Sequence, residues 1–525
     1  MEYSPSPARS LQGRGAGRLL ALAAAALLGL LLSGSLALAV SAAPAAVPPT
    51  FVVNSVSDAP AAGSLTDDIC DTVFPYGSVH TCTLRAAIMK ANHSPEGGAT
   101  ITFDPSTTNG HAIILTIAAQ SPDDETTGDL NISHTTRLVG NGAGLTIIDG
   151  QGIQDRVFWL ETGALVSMSG LTVQHGWAGQ YGGGGLYVNS GAALTLDQVA
   201  VISNTDNSGL GGGGLLSGGA LTVTHSLLGY NKALGSGGGL ANNGGRVAIV
   251  ASTIISNETL AGVGGGLVSY SGQGLSLAQS TVSSNTAAFY GGGLAAEGGY
   301  VTVTQSTLSS NLANLDGGGL EALLGAHVSL VNSTLSQNSA VGYGGGLEAN
   351  QNGSVWLYNV NVADNRADIN LTGSGKGGGL SIGSGAIHLQ NSLIADNFAS
   401  VQITGGSIIQ WPDDCFAAPV SAGYNLLTHK PDTCSMALIT GDLLNPAAHL
   451  GPLQANGGPT FTQALLPGSP AIDAANPGGC NDPFGAPLPT DQRGDRRVAN
   501  GAGATHCDIG AFELQRTINL PLAVR

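Results

Sequence analysis

The sequence predicts an all-β solenoid, a parallel β-helix of about ten coils with disulfide-stapled N- and C-terminal flanking segments, and three observations carry that expectation. Glycine supplies 81 of the 525 residues while charged residues make up only 10 %. A Gly-Gly-Gly-Leu signature ends at Leu186, Leu215, Leu240, Leu267, Leu294, Leu320, Leu347 and Leu380, at intervals of 25 to 33 residues. A second signature, of the type Ser-Thr-Leu-Ser-Ser-Asn, ends at Asn204, Asn231, Asn257, Asn285, Asn311, Asn338, Asn365 and Asn397 and keeps step with the first. Two markers held in phase over eight units define one structural repeat.

Within each unit a short piece alternates apolar and polar side chains, as in Val301–Val303, Val328–Leu330 and Val355–Leu357, which is the period of a strand with one buried face. Each unit then holds about three short strands, and stacking at roughly 4.8 Å brings equivalent residues into vertical register. The glycine runs serve tight turns that need left-handed backbone or close approach. Asparagine tolerates the left-handed region, and stacked Asn side chains can bond up and down the coils, so the eight Asn residues are assigned to a structural ladder.

The flanks differ in composition. Met1 to Ala42 has the three parts of an export signal: Arg9, Arg14 and Arg18, the apolar run Leu19 to Leu32, and small residues ending Val40, Ser41 and Ala42. Extended to Val40, the same run is long enough for a retained membrane anchor. Six cysteines, all outside the repeats, fit an oxidising compartment, and their nearest neighbours pair Cys70 with Cys82, Cys415 with Cys434 and Cys480 with Cys507. The formal net charge of -17 argues against a nucleic-acid partner, because phosphate binding relies on Lys and Arg. No metal-ligand spacing is present and no cofactor is expected.

The repeats resemble the right-handed parallel β-helix of the pectin-lyase-like superfamily, and their signatures are similar to those of polymorphic outer membrane protein repeats. The segment with Val53–Asp58, Cys70, Asp71 and Cys82–Ile88 resembles the CSLREA domain of bacterial secreted proteins, although Thr83 and Ala86 replace the Ser and Glu of that name. Leu450–Pro459, Leu466–Asp473, Asp491–Gly494 and Cys507–Glu513 resemble a choice-of-anchor Q domain. Together with the export signal and the repeat period, these likenesses divide the chain into a signal peptide over 1–42, an N-terminal cap over 51–100, β-helix repeats over 130–400, a C-terminal domain over 401–513 and a short tail over 514–525. They imply a secreted, extracellular or cell-surface protein, and none of the three modules implies a particular reaction.

Many proteins of this fold cleave polysaccharides, so the acids on the coils were weighed for catalysis. The Asn-Thr-Asp, Asp-Asp, Gly-His-Gly and Arg-Ile-Lys series of polygalacturonases is missing from the repeats. Asp364 and Asp396 each precede a ladder Asn on neighbouring coils, and Glu321 and Glu348 each follow a signature Leu. In-register carboxylates about 5 Å apart could share a proton or bind a cation if they face outward, and are otherwise solvated acids. Asp364 and Asp396 are the candidate catalytic pair; Glu321 and Glu348 are candidate ligand contacts. Tyr290 and Tyr343, each before a glycine run, could stack on sugar rings or could cap the core's edge. The expected role is non-catalytic adhesion, envelope or polysaccharide binding, with an extracellular polysaccharide or another surface protein as partner and membrane contact only through the signal. The alternative is an extracellular polysaccharide lyase or glycoside hydrolase.

Overall fold

From Trp177 onward each repeat coil is built from four strands, shown by Leu320–Leu323, His327–Val331, Thr334–Ser336 and Ser339–Ala340. The computed structural model describes residues 47–78, 80–120, 124–402, 408–497 and 506–515. The export signal and nearly all of the terminal tail therefore lie outside the described residues. Equivalent strands of successive coils stack in parallel into four sheets: a leucine sheet of 11 strands starting at the signature Leu, an alternating sheet of 13, a serine sheet of 13 and a short-strand sheet of 10. The unit was expected to hold three strands. The fourth escaped because a two-residue strand such as Thr286–Ala287 is too short to alternate.

Register follows the sequence markers. Leu267, Leu294, Leu320, Leu347 and Leu380 stand above one another, as do Val301, Val328, Val355 and Ile387. These side chains are fully buried and form one continuous column of apolar core along the axis. The sheets run past the repeats on both sides. Thr50–Val53 pairs with Gly98–Phe103 at the head of the alternating sheet, and Leu426–Leu427 and Leu443–Leu444 close the serine sheet.

Two ladders of buried side chains tie the coils together. The backbone N–H and Nδ2 of Asn285 both donate to Oδ1 of Asn311, at 3.0 Å each, and Asn311 repeats the pattern on Asn338. The series runs from Asn204 to Asn397 and ends on Oδ1 of Asp414. A parallel series uses the first Ser of each signature: Ser252, Ser280 and Ser306 donate backbone N–H to the hydroxyl of the next Ser, ending at Ser333. The left-handed backbone falls not on the ladder Asn but on the residue before it, such as Ser284 at φ 55° or Gln337 at φ 60°. That corner turns the following Asn inward, where its amide can bond along the axis.

The glycine turn asks for two different things. Gly317 takes φ +66°, whereas a Cβ at Gly318 would sit on the carbonyl oxygens of Gly345 and Ser339. Gly318→Ala, which cannot be relieved by a side-chain rotation, is expected to cost about 3 kcal/mol or more, read as a lower unfolding midpoint in denaturant.

The flanks cap the solenoid. A helix at Leu84–Asn92, not anticipated in an all-β chain, is capped by Thr83 and buried along its whole length. Its Arg85 pairs with Asp58 at 2.7 Å and donates to the carbonyls of Gly128 and Asp129. Disulfides join Cys70 to Cys82, Cys415 to Cys434 and Cys480 to Cys507. The C-terminal segment folds back over the outer side of the serine sheet. There Gln492 donates to Thr307 and accepts from Thr334, Arg497 donates to Asn332 and pairs with Glu513, and Ile509 and Phe512 join Leu393 and Ala395 in a second apolar cluster.

Candidate functional site

From Leu216 onward the residue after each signature Leu points away from the main core, yet it is buried. The glycine turns fold back over the leucine sheet and enclose a smaller apolar layer of Leu216, Ala241, Val263, Val268 and Ala295, with Tyr290 packed against it. Glu321 and Glu348 continue this column and pair in register. Glu321 is 0 % and Glu348 3 % exposed, and neither Glu321 oxygen has a hydrogen-bond partner. The missing Cβ of Gly317 makes room for the Glu321 carboxyl.

Burial, then the neighbouring Glu348 and Asp316, hold the Glu321 carboxyl well above its ordinary range. Burial, then Asp316, pushes Glu348 up to about 8. The two glutamates expected to face a ligand are thus enclosed and held toward the neutral form. Tyr290 and Tyr343 are half-buried, and Tyr343 lies with its ring 5.6 Å from that of Phe416, so neither offers an open flat platform.

Asp364 and Asp396 occupy left-handed corners of adjacent coils, at φ 59° and 53°. Oδ2 of Asp364 accepts from Nε2 of Gln463 at 2.8 Å, a contact made by the C-terminal segment. Burial beneath that segment, then the charge of Asp396, raises the Asp364 carboxyl above its ordinary range. Backbone N–H of Asp396 donates to Thr428 Oγ1 at 2.9 Å. Among the described residues no group of three or more His, Cys, Asp or Glu is placed to hold a metal ion.

The long open face is the outer side of the alternating sheet. Alternation sends every second side chain of each strand outward, and register aligns them into columns. One column reads Thr100, Arg137, Ser167, Thr195, Thr222, Ala248, Ser276, Thr302, Ser329, Trp356 and His388. At its N-terminal end a cleft of about 550 Å³ is lined by Glu96, Thr135, Arg137, Leu165, Ser167 and Thr195.

Toward the other end four flat rings stack over successive coils. Tyr300 and His327 lie 5.2 Å apart, His327 and Trp356 5.8 Å, and Trp356 and His388 5.3 Å, with interplanar angles of 18°, 21° and 8°. Burial lowers the His388 imidazole below its ordinary range, which keeps it neutral within the stack. The faces of the inner rings are used by one another. Their edges, with the hydroxyl of Tyr300 and the ring nitrogens of His327, Trp356 and His388, carry donors and acceptors in a line beside the Ser and Thr hydroxyls. Such a face can hydrogen-bond an extended polymer at many points.

Residues 156–335 match the family described as "Right handed beta helix region". This stretch holds six of the eight signature leucines and gives the solenoid its hand. Among solved structures, the crystal structure of pectate lyase Pel9A aligns over 89 % of this chain and 98 % of its own, at 12 % identity and a TM-score of 0.38, a likeness too distant to bear on chemistry. No curated protein matches the chain.

Sequence reasoning missed the ring stack because its members divide between two columns, Tyr300 and His327 in one and Trp356 and His388 in the other. It read Glu321 and Glu348, from their place after the signature Leu, as ligand contacts if outward and otherwise as solvated acids, without the turns that cover them.

Proposed function

We propose that the protein is a secreted or cell-surface β-helix that holds an extended, hydroxyl-rich polysaccharide along the outer face of the alternating sheet without cleaving it. The observation that carries this reading is the open outer column rich in Ser and Thr, interrupted at Arg137 and Ala248, that runs into Trp356 and His388 beside the stacked rings of Tyr300 and His327. A sheet of 13 strands at roughly 4.8 Å per strand offers a straight track of about 55–60 Å, the length of many sugar units. Shallow, repeated hydrogen bonding of this kind gives binding through many weak contacts.

Three disulfides fit an oxidising, extracellular setting. Among the described residues no helix is long and apolar enough to cross a membrane. The likeness of the flanks to CSLREA and choice-of-anchor Q domains supports display at the cell surface. The candidate catalytic pair supports cleavage poorly, because Asp364 is engaged by Gln463 and the acids are accompanied by no converging base in the contacts they make.

Pull-down on insoluble polysaccharides, followed by a reducing-sugar assay, tests the reading. The protein is expected to be retained and to release no oligosaccharide. Trp356→Ala and Tyr300→Ala are each expected to weaken retention about threefold to tenfold, as for loss of one ring contact among many. Sugar release abolished by Asp364→Asn would replace this reading with an enzymatic one.

A further inference from the structure

Away from the alternating sheet, at the N-terminal end of the short-strand sheet, Trp177 and Gln154 line two adjoining clefts. One, of about 550 Å³, is also lined by Asp155, Arg156, Gln180 and Tyr181. The other, of about 570 Å³, is also lined by Gln151 and His175. Trp177 is 40 % and Tyr181 53 % exposed. A Cβ at Gly179 would strike the Trp177 ring, so the ring lies directly over that backbone and is fixed there.

Tyr181 is fixed from behind. Its ring stands 5.7 Å from that of Trp159, and the Arg156 guanidinium sits among the rings of Trp159, Tyr187 and Tyr181 at 4.7, 5.6 and 5.9 Å. Arg156 is 3 % exposed, pairs with Asp129 at 3.3 Å and Asp155 at 3.7 Å, and donates through Nη2 to the Gln180 carbonyl. Its Nη1 is buried without a partner although the residue lines the cleft.

The geometry points to a binding site for a neutral, hydroxyl-rich sugar chain in these clefts, with Trp177 and Tyr181 as stacking platforms, Gln154 and Gln180 as hydrogen-bonding groups and Arg156 as the support behind Tyr181. Ring faces open to solvent suit the C–H faces of sugar rings. The Gln151, Gln154 and Gln180 amides both donate and accept, as hydroxyls do. Charge selects against an acidic chain: Arg156 already faces two carboxylates, Asp129 and Asp155, and the protein carries a net charge of -17. A uronate polymer would meet repulsion, and a neutral one would not. The inference rests on the polysaccharide reading for the class of polymer only, since it shares no residue with the alternating sheet.

Affinity gel electrophoresis of the full secreted chain in soluble glucan, xylan, galactomannan and polygalacturonate, with tryptophan fluorescence on short oligosaccharides of any glycan that retards it, tests the site. One neutral glycan is expected to retard the protein and quench its fluorescence, and polygalacturonate is not. Trp177→Ala and Tyr181→Ala are expected to weaken binding of the short oligosaccharide about tenfold, and Trp356→Ala to change it less than about twofold. Gly179→Ala, which displaces the Trp177 ring without removing it, should reproduce the loss with an unchanged unfolding temperature. Retention only by polygalacturonate, or by no glycan, overturns the site. So does wild-type affinity in Trp177→Ala, and if Trp356→Ala then abolishes binding, the alternating-sheet reading stands alone.

Discussion

Thermal unfolding of the protein should show its highest midpoint near pH 4 to 5 and a falling midpoint as the pH rises toward 8. The cause is the set of buried carboxyls whose folded form prefers the proton. Burial pushes Asp414 up to about 7, Glu348 to about 8, and Asp413 and Asp508 to about 6, and holds Glu321 well above its ordinary range. Between the unfolded and the folded value the native chain holds a proton that the unfolded chain has released, so stability declines with pH in that window. The decline is about 1.4 kcal/mol per pH unit for each group so poised.

Carboxyls held low by hydrogen bonds act in the opposite sense. Asp71, held by His80, and Asp104, held by the N–H of Ser106, contribute stability that is present above their unfolded values and lost only as the pH falls through the folded ones. The optimum therefore lies between the two windows. Glu321→Gln with Glu348→Gln keeps the shape of both side chains and removes their titration. The double variant should lose much of the slope between about pH 5 and 8 while unfolding near the wild-type temperature at pH 5. A slope unchanged in the double variant would show that the enclosed pair is not its source.

Much of this architecture was readable before any coordinate, and the limits of that reading have physical causes. The signature Leu and the ladder Asn recur because each coil must place the same group at the same height, so phase in the chain becomes register in the stack. The alternating strand was readable at Val328–Leu330 because the period-2 pattern directly reports one buried face. At Glu321 and Glu348 the position after the signature Leu left ligand contact and plain solvation both open, because it does not report that a glycine turn closes over the side chain. The Ser ladder lay in plain view within the second signature at Ser252, Ser280 and Ser306, but a hydroxyl recurring in a polar motif carries no mark of burial. The cover placed on Asp364 by Gln463 joins residues 99 apart in the chain, a contact that no local pattern encodes.

The largest loss of stability from a single polar substitution is expected within the Asn ladder, and the contrast between its interior and its last position explains why. Asn311 accepts at Oδ1 from the backbone N–H and Nδ2 of Asn285, and donates through Nδ2 to Val282 O and to Oδ1 of Asn338. Every one of these atoms is buried, so Asn311→Ala strands donors below and acceptors above and is expected to cost about 3 kcal/mol or more. Asn311→Asp keeps the acceptor side but sets a carboxylate oxygen against Oδ1 of Asn338, and should cost at least as much above pH 6. Asp414 ends the series without that conflict: Oδ1 receives Asn397, and Oδ2 receives the Thr428 hydroxyl and the His429 N–H. Ionised, above about pH 7, Asp414 accepts at both oxygens, which is what a ladder of donors needs at its last position, where no further Asn follows. Asp414→Asn puts an amide NH₂ against the His429 N–H and should therefore destabilise the protein, even though the same residue is required one coil earlier. Denaturant unfolding of Asn311→Asp and Asp414→Asn measures both. If the two exchanges proved neutral, the ladder would be a passive consequence of stacking and not a part of what holds the coils in register.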